Sequence, residues 1–293
     1  MVDWNREKIR CLICNSDKLI IISRRVRHGE NCCIVKCKDC SFIYMNPQPS
    51  EEGLDKYYQK EYRIHYKAGD SPSESQLLEE KELAQSRLNH LGPYLKRSNK
   101  ILDYGCGTGT FLSFLKRFRI ETWGVEPHDR YRKFAFDHYG LDKIKKGVDD
   151  IDKDIRFDTI TLFHVLEHLK DPVGMIKSLS KRLKNEGILA IEVPNTDNFW
   201  LHTPWAKEVF LHEFMQPAHL WYFNPYTLCR LVNDTGMFQI VKIMTAGAEL
   251  PLPEKLNKKL KKAGLYRSIR DIFYCIPDRL GKGENITIIL KKS

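Results

Sequence analysis

No apolar run in this sequence approaches the ~18–20 residues needed to cross a bilayer, and charges recur throughout the first thirty positions. The opening Met1-Val-Asp-Trp-Asn-Arg-Glu-Lys8 has no apolar stretch of the kind that heads a secretory signal. A membrane-spanning or exported protein is therefore not expected, and the cytoplasm is the expected location. A paired disulfide framework is equally unsupported, because nine cysteines is an odd number and nothing marks the chain for export. Global disorder does not fit 42% apolar and 11% aromatic residues. The 293 positions have room for one large domain, or a domain with a small appendage.

The charge is uneven. The net +10 comes from the ends, with +4 in residues 1–50 and +7 in residues 251–293, and the 200 residues between are almost neutral. Six of the nine cysteines lie between Cys11 and Cys40. Cys11-Leu-Ile-Cys14 and Cys37-Lys-Asp-Cys40 are two Cys-x2-Cys pairs separated by 22 residues. Each pair presents two sulfurs from one tight turn, and two such turns complete the closed tetrahedral four-thiolate site of structural zinc. Leu19–Ile22 and Cys33–Lys36 read as the intervening strands, with a turn at Arg27–Asn31. Cys32, Cys33 and His28 are spare donors without a partner at that spacing. Residues 1–50 thus read as a zinc ribbon and residues 51–98 as a helical cap or linker, interrupted at Gly69–Ser73. Tyr57, Tyr58, Tyr62 and Tyr66 on this stretch read as packing.

From Lys100 onward strands and helices alternate. Strands are expected at Ile101–Tyr104, Glu121–Val125, Lys143–Lys146, Phe157–Phe163 and Gly187–Val193, which argues for an α/β fold with a largely parallel sheet covered on both faces. Ligands of such sheets bind at the carboxyl ends of the strands. The first strand ends in Asp103-Tyr-Gly105-Cys106-Gly107-Thr-Gly109, with Thr110 where a dinucleotide loop would need its third glycine. The glycines let backbone amides approach a bound group. Asp103 suits a positively charged ligand and would repel a pyrophosphate. Glu126, at the end of the second strand, is spaced to accept from both hydroxyls of a ribose. A cationic end joined to an adenosine describes S-adenosylmethionine.

On these motifs the chain resembles the class I S-adenosylmethionine-dependent methyltransferases, over about Lys100–Lys291. The resemblance implies a Rossmann-like seven-stranded sheet, parallel except for its antiparallel seventh strand, with Phe238–Met244 and Asn285–Lys291 as strands six and seven. It implies cofactor contacts from Asp103, Gly105, Cys106, Gly107, Gly109, Glu126, Pro127, Asp149, Asp150, Phe163 and His164, with Cys106 a small spacer and not a nucleophile. With the Cys-x2-Cys pairs and the following Phe42-Ile-Tyr-Met-Asn-Pro-Gln-Pro49, the chain is also similar to bacterial methyltransferases with a zinc-ribbon leader, including C-methyltransferases of nucleotide sugars and enzymes of surface-glycan or natural-product pathways. Asn15 and Ser41 stand where that group has a glycine after each second cysteine, and the C-terminal domain that the long sugar enzymes carry is not expected here.

The resemblance assigns residues 99–293 to the methyltransferase domain. Within it, an aromatic-rich insert at residues 194–224 would cover the acceptor. His219 would serve there as general base or acceptor-binding group, or as a structural histidine, with His212 and Glu213 next. His164 would face the methyl group or the cofactor's amino-acid end. His164-x-x-Glu167-His168 also spells an inverted zinc-peptidase motif, and a metal on Glu167 and the histidines is a further alternative. Residues 254–275 read as a basic amphipathic helix, a solvated face or a contact for membrane or phosphate. The expected activity is methyl transfer to a small-molecule or glycan-type acceptor. The alternative is an RNA-modifying methyltransferase or nucleic-acid-binding protein that uses the ribbon and basic ends, against which there is no aromatic-basic RNA motif.

Overall fold

The computed structural model describes residues 6–24, 26, 32–60, 72–96, 99–202, 215–247, 256, 259–260, 262–265, 268–269 and 277–293. The side chains of residues 55, 57–60 and 200 fall outside that description. So do the sequence-proposed turn at Arg27–Asn31 with His28, the tyrosines at 57, 58, 62 and 66, and His212 and Glu213. Much of the basic segment 254–275 lies outside it too.

The N-terminal part contains β1 (Arg6–Glu7), β2 (Leu19–Ser23), β3 (Ile34–Cys37), β4 (Ile43–Met45) and β5 (Gln48–Pro49), followed by helices α1 (Glu51–Lys60) and α2 (Glu74–Leu91). Ser73 caps α2 by accepting from the Gln76 amide at 3.2 Å. The alternating part follows with β6 (Lys100–Tyr104), α3 (Thr110–Lys116), β7 (Glu121–Val125), α4 (Asp129–Tyr139), β8 (Ile144–Lys145), β9 (Phe157–Phe163), α5 (Pro172–Arg182), β10 (Leu183–Pro194), β11 (Trp221–Tyr222), α6 (Pro225–Asn233), β12 (Phe238–Ala246) and β13 (Asn285–Lys292). Asp171 and Asn224 cap α5 and α6, each followed by a proline whose fixed φ suits the first helical position.

Seven strands form the central sheet in the order β12-β13-β10-β9-β6-β7-β8. Neighbours from β10 through β8 are parallel, and β13 is antiparallel to both β10 and β12. This is the expected Rossmann-like methyltransferase topology, with its sixth and seventh strands where the sequence predicts them. Alternation along each strand makes two cores. Leu102, Ile160, Leu162, Ile191 and Ile288 face α5 and α6. Ile101, Phe163, Ala190 and Ile289 face α2, α3 and α4.

A four-stranded sheet, in the order β11-β4-β3-β2, adjoins the two Cys-x2-Cys pairs. Its strand β11 comes from the insert, not from the N-terminus: Trp221 pairs with Tyr44, and Tyr222 with Ile43. Phe42, Tyr44, Trp221 and Phe223 stack at centroid distances of 5.4–6.1 Å, inside a core continuous with the α5 face of the large sheet.

Candidate active site

The loop after β6 holds three glycines at positive φ: +81° at Gly105, +54° at Gly107 and +79° at Gly109. The amides of Gly105 and Cys106 donate to the Val125 carbonyl at 2.8 and 3.0 Å, which ties the loop to the end of β7. A Cβ on Gly105 would come within 2.5 Å of Val165, and one on Gly109 within 2.7 Å of Leu141. A Cβ on Gly107 would meet nothing within 4 Å, so there the backbone borders open space. The Gly107 amide donates to Glu126 Oε2 at 2.9 Å, and the His128 amide to Oε1 at 2.8 Å. Burial raises the Glu126 pKa against the pull of these amides. Asp103 is 3% exposed and accepts from Thr161 Oγ1 at 2.6 Å. Burial pushes its carboxyl up to about 6, with Thr161 and Arg87 opposing.

Asp103, Gly105, Gly107 and Phe163 line a cleft of ≈ 480 Å³ that is open to solvent, and Glu126 adjoins it through the Gly107 amide. Cys106 also borders it, but burial raises its thiol pKa far above the usual value, and its sulfur fills the space a Cβ on Gly124 would need. It is a spacer. Pro127 and the pair Asp149 and Asp150 are exposed beyond the ends of β7 and β8. Asp150 accepts from the Gly147 amide at 2.9 Å, which closes that turn.

Helix α2 supplies two cleft residues that sequence reasoning missed, Glu80 and Arg87. Glu80 accepts from the hydroxyls of Thr108 and Thr110. Arg87 lies 4.3 Å over the Phe163 ring and donates through Nε and Nη2 to Glu192 Oε1 at 2.9 and 2.6 Å. Burial would raise the Glu192 pKa, but Arg87 and then His164 outweigh it and hold the carboxyl well below the usual range. A buried acid inside β10 was the signal that could have located this pair. Nothing in the α2 pattern distinguishes Arg87 from a solvated arginine.

His164 follows β9 with φ +55°, and its amide donates to the Glu192 carbonyl at 2.8 Å. Its ring spans two carboxylates: Nδ1 is 3.4 Å from Glu167 Oε1, and Nε2 is 3.4 Å from Glu192 Oε1. Burial lowers its pKa, but the two acids overcome that and raise it to about 9. Glu167 is fully buried, and the neighbouring imidazoles bring its pKa down to about 2 despite burial. His168 directs Nδ1 at the Ala218 carbonyl, 3.1 Å away. His219, 5% exposed, packs edge-on against His168 with centroids 4.7 Å apart. Leu166–His168 is a single 3-10 turn, so His164 and His168 are not one helical turn apart as the zinc-peptidase geometry requires.

The four ribbon sulfurs also converge. Cys11 and Cys40 are 3.5 Å apart, as are Cys14 and Cys37, and all four lie within 4.8 Å of one another. Disulfide-bonded sulfurs would be ~2 Å apart, whereas the edges of a tetrahedron with ~2.3 Å Zn–S bonds are ~3.8 Å. Asn15 and Ser41 take φ +58° and +63° in the two knuckle turns, so each does what a glycine does at that position. Burial opposes ionisation of Cys37, but the amides of Cys40 and Asp39 bring its thiol down to about 7. Cys32 lies apart, 3.6 Å from Arg6 Nη2.

A family model described as a methyltransferase domain matches residues 77–243, more than half of the sequence. The chain belongs to the methyltransferase-domain family. A ubiquinone biosynthesis O-methyltransferase from Neisseria meningitidis serogroup C is 24% identical over 153 residues, covering 48% of this chain and 64% of that protein. The match therefore spans just under two thirds of that relative's length. Two solved structures share the fold of this methyltransferase domain. One is an S-adenosylmethionine-dependent methyltransferase from Archaeoglobus fulgidus, with TM-score 0.50 and 24% identity over 72% of this chain and 94% of that chain. The other is magnesium protoporphyrin IX methyltransferase from Synechocystis PCC 6803 with bound S-adenosylhomocysteine, with TM-score 0.52 and 13% identity over 83% of this chain and all of that chain.

Proposed function

We propose that the protein is an S-adenosylmethionine-dependent methyltransferase that modifies a hydroxyl of a small-molecule or glycan-type acceptor, with structural zinc in its N-terminal ribbon. One observation carries the reading: the open space over Gly107, in a cleft lined by the buried Asp103, with the buried Glu126 held on the Gly107 amide. A side chain at Gly107 would fill the cradle, and two carboxylates beside it suit a ligand with a cationic and a hydroxyl-bearing end. The family match and the O-methyltransferase relative support the reaction class.

When bound, S-adenosylmethionine supplies an electrophilic methyl group on a positively charged sulfur. Around it Asp103 and Glu80 would face the cationic groups, and Arg87 the carboxylate. Each Glu126 oxygen already accepts one backbone amide and keeps a lone pair for a ribose hydroxyl. Gly105, Cys106, Gly107 and Gly109 shape the cradle, Phe163 walls it from water, and Pro127, Asp149 and Asp150 would border the adenine. His164, the more exposed ring of the histidine group, would face the acceptor. His219 would act behind it as a positioning residue. His212 and Glu213 belong to the same insert and would contribute from there. Cys11, Cys14, Cys37 and Cys40 would hold the zinc ion. The basic segment 254–275 would contact an anionic surface or phosphate. Among the described residues no helix is long and apolar enough to cross a membrane.

Calorimetry with S-adenosylhomocysteine, paired with transfer of a labelled methyl group to hydroxylated small molecules, nucleotide sugars and tRNA, tests the reading. Expected are cofactor binding that Glu126→Ala weakens at least about tenfold, the loss of one charge-assisted hydrogen-bonding group, and label in a small acceptor. Absence of cofactor binding, or label confined to tRNA, would refute it.

A further inference from the structure

We propose that Glu167, His168 and His219 bind a divalent first-row transition-metal ion at a site separate from the four-cysteine site. One donor atom from each of the three lies within 4.8 Å of the other two. The set is two imidazoles and one carboxylate, a combination that takes zinc or a neighbouring divalent ion and leaves coordination positions open. Closing onto bonds of ~2.1 Å requires the donors to draw together by about 1 Å.

Two features point to a cation there. The Glu167 carboxylate is fully buried, yet neither of its oxygens makes a hydrogen bond. Facing Oε1 are His164 Nδ1 at 3.4 Å and His168 Nε2 at 3.9 Å. A buried carboxylate without a hydrogen bond is costly, and a metal ion would add to the compensation that the His164 ring provides from one side. The second feature is the orientation of His168. Its Nδ1 faces the Ala218 carbonyl, which can only accept, so Nδ1 carries the hydrogen. In the neutral ring the nitrogen with the lone pair is then Nε2, which lies 3.9 Å from Glu167 Oε1. A carbonyl on one ring nitrogen with the other nitrogen on a metal is the usual outer arrangement of a metal-bound histidine.

The site is assembled by three separate anchors. The Leu220 amide donates to the Glu167 carbonyl at 2.9 Å, the Met45 amide to the Leu220 carbonyl at 2.9 Å, and Trp221 Nε1 to the Leu169 carbonyl at 2.6 Å. The turn after β9 is thus bound to the insert directly after His219, through Leu220 and Trp221, and to the residue before it where His168 Nδ1 meets the Ala218 carbonyl. The His164 ring lies between Glu167 and Glu192, the partner of the cleft residue Arg87, so the ion would lie behind the ring proposed to face the acceptor and fix its support.

Full-length protein produced in minimal medium supplemented with cobalt tests the proposal by metal content and absorption. Two equivalents of cobalt are expected, one with thiolate-to-metal charge transfer and one without it. Glu167→Gln and His219→Ala should keep the first and bind the second at least about 100-fold more weakly. X-ray absorption on zinc-loaded wild type needs no variant and should show nitrogen or oxygen scatterers at ~2.0–2.1 Å beside sulfur at ~2.3 Å. A single equivalent, a sulfur-only shell, or a second equivalent of unchanged affinity in both variants would overturn the assignment.

Discussion

Burial holds the Asp103 carboxyl near pH 6, so the residue proposed to attract the cofactor is one that the folded chain would sooner keep neutral. A pKa raised from 3.8 to about 6 means that the native state binds this proton more tightly than the unfolded chain. Stability from this group is therefore full below pH ~4, declines as the pH rises towards 6 and stays at its lower value above. At ~1.4 kcal/mol per tenfold change in acidity the decline amounts to about 3 kcal/mol. Asp103→Asn keeps the acceptor for Thr161 and removes the charge. It should raise the melting temperature at pH 8, leave it unchanged near pH 4, and weaken cofactor binding by at least about tenfold. Melting curves at the two pH values, with calorimetry at pH 8, check both halves, and wild-type affinity in the variant would reject the proposed role. Gly105 and Gly107 give a second contrast. Alanine at either costs ~1–2 kcal/mol for the left-handed backbone, but only at Gly105 does the methyl also strike Val165. Urea melts should find Gly105→Ala clearly the less stable. Gly107→Ala should stay folded and lose cofactor affinity, because its methyl enters the space left open for a ligand.

Helix α2 and strand β11 show where reading the sequence stops. The strands from Lys100 to Val193 and the glycine loop were legible because alternation, glycine spacing and acid placement are local patterns. The same holds for the cysteine pairs. Glu80 and Arg87 were not legible, since a polar helix looks alike whether it lies in water or across a cleft, and the Arg87 partner Glu192 is 105 positions away. Strand β11 has two residues, too few for any periodicity, and its pairing with β4 joins Trp221 to Tyr44 across most of the chain. That pairing predicts a consequence for the ribbon. Replacing Cys37 and Cys40 with Ser, which leaves Glu167, His168 and His219 in place, should loosen β4, and with it the Ala218–Phe223 segment that carries His219. Tryptophan fluorescence should change in this variant and acceptor KM should rise, while cofactor affinity changes by less than about twofold, because Asp103 and Glu126 lie on the strands and loops of the large sheet. Equal loss of cofactor and acceptor binding would mean general unfolding and would count against this coupling. Arg87→Ala is the counterpart for α2. It leaves the Glu192 carboxylate, 9% exposed at its side chain, without its guanidinium, at a cost of ~3–5 kcal/mol for a broken buried pair. Arg87→Ala combined with Glu192→Gln should recover much of that loss in urea melts, and no recovery would show that Arg87 stabilises by packing on Phe163 instead.

The sequence divides naturally at residue 50, between a cysteine-rich leader and the helical and α/β segments beyond it, and the question is whether that boundary is also one of stability. Phe42, Tyr44 and Met45 from the leader and Leu220, Trp221 and Phe223 from the insert are each 3% exposed or less, and they pack in one core with the α5 face of the large sheet. Domains that fold alone keep few contacts across their boundaries. Here the contacts include strand pairing, a ring stack and the Met45–Leu220 hydrogen bond. Taking away residues 1–50 would expose three large apolar side chains of the insert, at ~1.5–3 kcal/mol each, and would leave β11 without its partner. The sum is about 5–9 kcal/mol, which matches much of the ~5–15 kcal/mol that holds a typical domain together. A chain lacking residues 1–50 should therefore unfold at a much lower urea concentration than the full protein, or fail to give a cooperative transition. Adding residues 1–50 as a separate zinc-loaded peptide should restore part of the difference. A shortened chain with the midpoint and slope of the full protein would establish the leader as an independent unit and remove the basis for coupling the ribbon to the insert.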